Sequence, residues 1–184
     1  MRNLGRQKAV NNWLFYLDAD EIISRELQAE IIKILANPEF EAYRVIRRNF
    51  YLGKKWPYEE KIIRLINKRS LVGWYGPLHE SAEISAAVGQ LKNPLFHYTH
   101  QNLKSMVDKT NLWSEIEADL RIKNSHPPVV WWRFIRVMIT AFSNSYFKQA
   151  GFKAGTVGLI ESIYQAFSIF ITFAKLWEKQ SKKS

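Results

Sequence analysis

Asp18-Ala19-Asp20 follows directly on the apolar run WLFYL, residues 13–17. Two carboxylates spaced i and i+2 at a strand end can converge on one hard divalent cation and leave it positions for a diphosphate. The carboxyl end of a strand is also where open α/β sheets place their ligands. The same three residues equally describe a solvated turn, with Asp20 or Glu21 as the acid at a helix start. The sequence contains no cysteine, which excludes a disulfide scaffold, a thiol nucleophile, a Cys-ligated zinc and an iron–sulfur cluster.

The elements around this turn can be read from periodicity. WLFYL has the continuous apolar character of a strand buried on both faces, central in its sheet. Ser24 is placed to cap a helix over about 25–36, whose Leu27, Ile31, Ile34 and Leu35 share one face and which Asn37-Pro38 stops. Residues 42–46 (AYRVI), 61–66 (KIIRLI) and 94–100 (PLFHYTH) read as further strands. Between the first two, RRNFYLGKKWPYEEK mixes five basic residues with aromatics and turn signals at Gly53 and Pro57, and residues 72–80 (VGWYGPLHE) read as a loop. From Asn102 the period turns helical. Leu103, Met106, Val107, Thr110, Trp113 and Leu120 fit one face of a long helix ending before His126-Pro127-Pro128. Two more helices follow over about 129–148 and 156–180, separated at Gly151 and Gly155. The expected architecture is an α/β portion to about residue 100, followed by an aromatic-rich helical portion over 101–184.

In order along the chain, NNWLFYLDADEIIS, YRVIRRNFYLGK, KIIRLINK, GPLHE, VGQLKNPLFHY and GFKAGTVGLIES resemble the family 2 glycosyltransferases, in particular the bacterial lipopolysaccharide-core β-glucosyltransferases. The resemblance implies a GT-A-like, Rossmann-related sheet and inverting, metal-dependent transfer from a nucleotide sugar, a UDP-sugar foremost. It also implies a lipid-linked glycan acceptor at the cytoplasmic face of the inner membrane. By position, Asp18 and Asp20 match the motif that holds Mn²⁺ or Mg²⁺ and the leaving diphosphate. Glu80 in GPLHE falls where the family's general base is expected, with His79 its rival. In such enzymes the strands gripping the nucleotide base precede the acidic motif. Only one short helix fits before residue 18, so the expectation is a fragment, or a site completed by another polypeptide. A parallel sheet without its first strands would expose an apolar edge.

Other side chains have a functional and a structural reading. His97 ends a strand and is either a third metal ligand or a packed residue of the sheet. Arg64, Arg47 and Arg48 carry guanidiniums suited to phosphate, or are ordinary edge charges. Trp56 and Trp74 offer faces for sugar stacking, or cover the core.

The formal charge of +10 across 184 residues points to an anionic partner. Trp131, Trp132, Phe134, Tyr164 and Trp177 on the last two helices are the kinds of side chain that settle at a headgroup boundary, so peripheral contact with the inner membrane surface is expected. Arg133 and Arg136 disfavour a bilayer-spanning hairpin. The N-terminus lacks the apolar stretch of a secretory signal. Nucleic acid is not expected as a partner, because no recognition signature accompanies the basic and aromatic residues of 43–61. The alternative to an enzyme is a truncated, non-catalytic module that binds a membrane surface or a partner.

Overall fold

Arg2–Lys8 form a seven-residue helix (α1) with no buried residue ahead of the apolar run. It is held by side chains: Asn3 exchanges two hydrogen bonds with the Trp74 backbone (2.9 and 3.0 Å), and Arg6 donates to the Val72 carbonyl at 2.9 Å. Strand β1 (Trp13–Phe15) and strand β2 (Glu21–Ile23) flank the acidic turn. Helix α2 (Arg25–Ala36) follows as the sequence predicts, with Ser24 Oγ accepting from the Leu27 amide at 3.1 Å. The computed structural model describes residues 2–76 and 80–182.

Strands β3 (Ala42–Tyr51) and β4 (Lys54–Asn67) are far longer than their apolar cores suggest. The basic segment expected to be a loop is the hairpin itself, turning at Leu52-Gly53, where both residues have positive φ as a tight primed turn requires. Charges pair along the strands: Arg48 Nε donates to Glu59 at 2.6 Å and Arg47 Nε to Glu60 at 2.8 Å. Pro57 sits within β4, beyond the stretch that pairs with β1, where its missing N–H interrupts no β1 ladder bond. Of the segment expected as a loop over 72–80, residues 72–75 belong instead to strand β5 (Leu71–Tyr75), paired antiparallel with β6 (Ser81–Ile84). The register shifts beside Gly73, as a glycine within a strand often signals. Strand β7 (Val88–Tyr98) completes a five-stranded sheet in the order β1–β4–β3–β7–β2.

The chain is thus mixed α/β with its remaining helices at the C-terminal end. It divides into two compact units, one built from residues up to Asn49 and Glu59–Tyr98, the other from Phe50–Tyr58 and the chain from Thr99. In the first unit α2 covers one sheet face through Leu27, Tyr43, Val45, Leu65, Leu91 and Leu95. The β5–β6 hairpin covers the other through Ala42, Ile66, Leu71 and Trp74. Trp13 and Phe15 join the first cluster, and Leu14 and Tyr16 the second, so β1 is covered on both faces as expected. It lies at the end of the strand order, however, and not in the centre. Its pairing with β4 is antiparallel, as is that of β2 with β7, so the expectation of a parallel sheet is corrected for these strands.

The second unit contains helix α3 (Leu103–Lys123), helix α4 (Trp131–Ser143), a π turn (Asn144–Lys148), a 3₁₀ turn (Gly151–Ala154) and helix α5 (Thr156–Ser181). The buried ridge of α3 is Met106, Thr110, Ser114 and Ala118 at intervals of four, the last three small; Met106 and Thr110 were expected there, whereas the expected Leu103, Val107 and Trp113 are exposed. α5 runs parallel to α3 and meets that ridge. Tyr164 hydroxyl donates to the Met106 carbonyl (2.7 Å) and lies 2.6 Å from Thr110 Oγ1, which donates to Ser168 at 3.3 Å. The buried Glu161 carboxylate receives Gln165 at 2.7 Å and faces His100 Nδ1 at 2.9 Å. A Cβ on Gly158 would stand 1.8 Å from the Gly151 carbonyl, so only hydrogen fits there.

Candidate functional site

The acidic turn is closed by its own backbone: the Glu21 amide donates to the Asp18 carbonyl, and the Asp18 amide to Glu21 Oε2, both at 3.0 Å. This geometry sends the two aspartates to different partners. Asp18 Oδ1 receives Arg2 at 2.7 Å and Oδ2 receives Arg64 at 2.6 Å. Burial pushes the Asp18 carboxyl upward, but the two guanidiniums outweigh it and hold it below its ordinary value. Glu21 points inward from β2, fully buried, and accepts from Arg64, with Arg47 at 3.5 Å.

Asp20 faces β7 instead. The register sets Glu21 opposite His97, and the Tyr98 amide donates to the Asp20 carbonyl at 2.9 Å. His97 Nε2 lies 3.2 Å from Asp20 Oδ2, while its Nδ1 lies 2.7 Å from Oδ1 of the buried Asn49. The tautomer decides which ring nitrogen donates; with the proton on Nδ1, toward the Asn49 oxygen, Nε2 presents a lone pair to the aspartate. Burial and then the Arg47 charge lower the His97 pKa, favouring this neutral ring. Asp20 Oδ2 and His97 Nε2, 3.2 Å apart and with the ring held from behind by an amide, are the side chains of this turn that could hold a cation. Imidazole with carboxylate suits Mn²⁺ better than Mg²⁺, which favours oxygen throughout. Among the described residues no three acidic or histidine side chains come together as a ready-made metal cluster, so Asp18 does not join this pair here.

The other expected site residues divide sharply. Glu80 is half-exposed and its Oε2 lies 3.3 Å from Arg2 Nε, so one guanidinium links it to Asp18. His79 lies outside the described residues. Arg64, 3% exposed, and Arg47 are occupied by Asp18, Glu21 and Glu60 in place of the phosphates expected of them. Burial works against the Arg47 charge, and Glu60 and Glu21 more than restore it. Trp56 is 1% exposed in the second unit, with its Nε1 on Gln149 at 3.1 Å, so neither face is open to a sugar. Trp74 is 6% exposed, lies edge-on to Tyr16, and has the Arg2 guanidinium 4.4 Å above its ring. The buried polar atoms Tyr16 hydroxyl, Arg64 Nε and Trp74 Nε1 have no hydrogen-bond partner among the described residues.

Sequence reasoning missed Arg2, Glu21, Asn49 and Glu60. Glu21 had a signal, since the third acid in DADE starts a β-branched pair, Ile22-Ile23. Asn49 continues the alternation Tyr43, Val45, Arg47 along β3. Arg2 carried none, because its role depends on the Asn3 clamp to β5.

No family model matches this chain. It is similar to the lipopolysaccharide core biosynthesis glycosyltransferase LpsC of Rhizobium meliloti, at 27% identity over 94% of this chain and 66% of that protein. It is likewise similar to the uncharacterized glycosyltransferases RC0292 of Rickettsia conorii, at 26% identity over 98% of this chain and 70% of the relative, and RP128 of Rickettsia prowazekii, at 26% over 95% and 65%. The chain therefore spans about two thirds of the length of the curated relatives it matches. These relatives are glycosyltransferases by name, which supports a transferase with a sugar donor and a glycan acceptor.

Proposed function

We propose that this chain belongs to an inverting, metal-dependent glycosyltransferase of family 2 type with a GT-A-like sheet. Its donor is a nucleotide sugar, taken as a UDP-sugar. Its acceptor is a lipopolysaccharide-core or other lipid-linked glycan at the cytoplasmic face of the inner membrane. The observation that carries the reading is the Asp20–His97 pair backed by Asn49, standing beside the arginine-bound Asp18 in a chain whose relatives are glycosyltransferases.

Asp20 Oδ2 and His97 Nε2 would hold Mn²⁺, or Mg²⁺ with a weaker fit, with Asn49 fixing the imidazole; when bound, the ion would supply positive charge against the departing diphosphate. Glu80 takes the acceptor hydroxyl proton as that oxygen bonds to the anomeric carbon, opposite the C–O bond whose electron pair leaves with the diphosphate. Arg2 keeps Glu80 and Asp18 from repelling each other, and Asp18 with Arg64 fixes the turn that aims Asp20.

Calorimetric titration of the purified chain with UDP, with and without Mn²⁺, tests the site. Binding that needs Mn²⁺ and disappears in both Asp20→Asn and His97→Gln is expected. Binding that is unaffected by either substitution would overturn the assignment. In the complete enzyme, Glu80→Gln is expected to lower kcat about 10²–10⁴-fold with donor affinity retained. A second reading, a non-catalytic membrane-surface module, draws on the uncovered face of α4 and predicts no Mn²⁺-dependent UDP binding.

A further inference from the structure

Helix α4 contains no buried residue. Trp131 (75% exposed), Ile135 and Ile139 (61%) line its outer side, and Phe147 (62%) and Phe152 continue the apolar surface through the two turns that follow. Phe142, Tyr146, Phe147 and Phe152 meet ring to ring there, one pair stacked and three edge-on, with centroids 5.1–6.3 Å apart. The charge around this surface has one sign. From Leu120 to Ile160 the chain has no Asp or Glu but contains Arg121, Lys123, Arg133, Arg136, Lys148 and Lys153. Arg133, Arg136, Lys148 and Lys153 enter no ion pair among the described residues, whereas Lys175 and Lys179 on α5 are matched by Glu115 and Asp119 on α3. Arg136 and Lys153 instead sit over the Trp132 and Phe152 rings at 5.7 and 6.0 Å.

We infer that the surface formed by α4 and the turns after it docks flat on an anionic lipid bilayer, with Ile135, Ile139, Phe147 and Phe152 entering the acyl boundary and Arg133, Arg136, Lys148 and Lys153 meeting lipid phosphates. The lack of acids selects this occupant. A second copy of the chain would set unmatched cations against one another. Nucleic acid would receive the cations and the exposed rings but leave Ile135 and Ile139 without an apolar partner. A bilayer surface takes both halves, since phosphates receive the cations and hydrocarbon receives the isoleucines. The helices lie on the membrane and do not cross it. α5 is long and apolar enough to span by length and composition, but its Glu161, Ser162, Thr172 and Phe173 are committed to the bundle. The inference deepens the membrane-surface part of the proposed function, and its test involves no sugar transfer, so each can fail alone.

The test is flotation of the purified chain with phosphatidylcholine vesicles, with and without phosphatidylglycerol, at low and high salt. Binding is expected only with phosphatidylglycerol, and weaker at high salt. Arg133→Gln and Arg136→Gln are each expected to lower vesicle affinity about five-fold. Ile139→Asn is expected to weaken binding in all salt conditions, and Lys104→Gln, at an exposed position of α3, to leave it unchanged. Equal binding to both vesicle types, no binding to either, or equal loss in all four variants would overturn the proposal. So would Ile139-dependent dimerisation, or binding to an RNA homopolymer, without vesicle binding. Unchanged melting temperatures in Arg136→Gln and Ile139→Asn show that loss of binding is not loss of fold.

Discussion

Arg64 and Arg136 are the same side chain in opposite circumstances. Arg64 is buried in the first unit, its guanidinium shared between Asp18 and the buried Glu21. Arg136 is exposed on α4 of the second unit, with a tryptophan ring beside it and no carboxylate among the described residues. Charge matched within the chain is structural, because removing one member strands the other away from water. Unmatched charge contributes little to folding, and its use lies in whatever binds from outside. The first unit uses its arginines to hold carboxylates in place around Asp20 and His97. The second leaves its α4 cations available.

Substitutions should separate these two circumstances. Arg64→Leu is expected to cost about 3–5 kcal/mol by urea unfolding, because Glu21 stays buried without its cation. Arg64→Leu with Glu21→Leu should regain most of that, and a double variant no better than the single would show that the pair does not act as a unit. Gly158→Ala breaks the second unit by packing and not by charge, at about 1–3 kcal/mol, since the new methyl meets the Gly151 carbonyl.

A weaker effect of pH follows from His97. Its folded pKa is lowered, by burial first and then by Arg47, so the unfolded chain accepts a proton that the fold refuses. That contribution is fully present above the ordinary value of about 6.5 and is lost as pH falls from there toward the folded pKa. Unfolding midpoints should therefore drop on acidification through this window, and His97→Gln should flatten the drop. The Asp18 carboxylate is also lowered, and its contribution disappears only at more acidic pH, below its ordinary value and through the folded one. Arg136→Gln should change stability least, by no more than about 0.5 kcal/mol.

Where local chemistry decided the outcome, the sequence could be read. Ser24, the spacing of Leu27, Ile31 and Ile34, and Asn37-Pro38 define α2 without reference to anything distant. The β3–β4 hairpin was hidden because Arg47, Arg48, Glu59 and Glu60 resemble a solvated loop until each is seen beside its cross-strand partner. Antiparallel pairing at β1 was equally hidden, since an apolar run shows burial but not direction. On α3, apolar Leu103 and Val107 misled, because the small residues of the 106–118 ridge are what permit the close approach of α5. The acidic turn was visible as a motif, yet the division of labour between Asp18 and Asp20 required the register of β2 on β7 and a helix clamped by Asn3.

The hydroxyls between α3 and α5 do more than fill space. Tyr164 and Ser168 meet Thr110 and the Met106 carbonyl at fixed heights along two parallel helices. Their apolar neighbours would tolerate several alignments. A slip of a residue or two, about 1.5–3 Å, would break every one of these bonds. The two helices therefore work like a key cut to fixed notches, which restricts how far one can slide past the other as the bundle assembles.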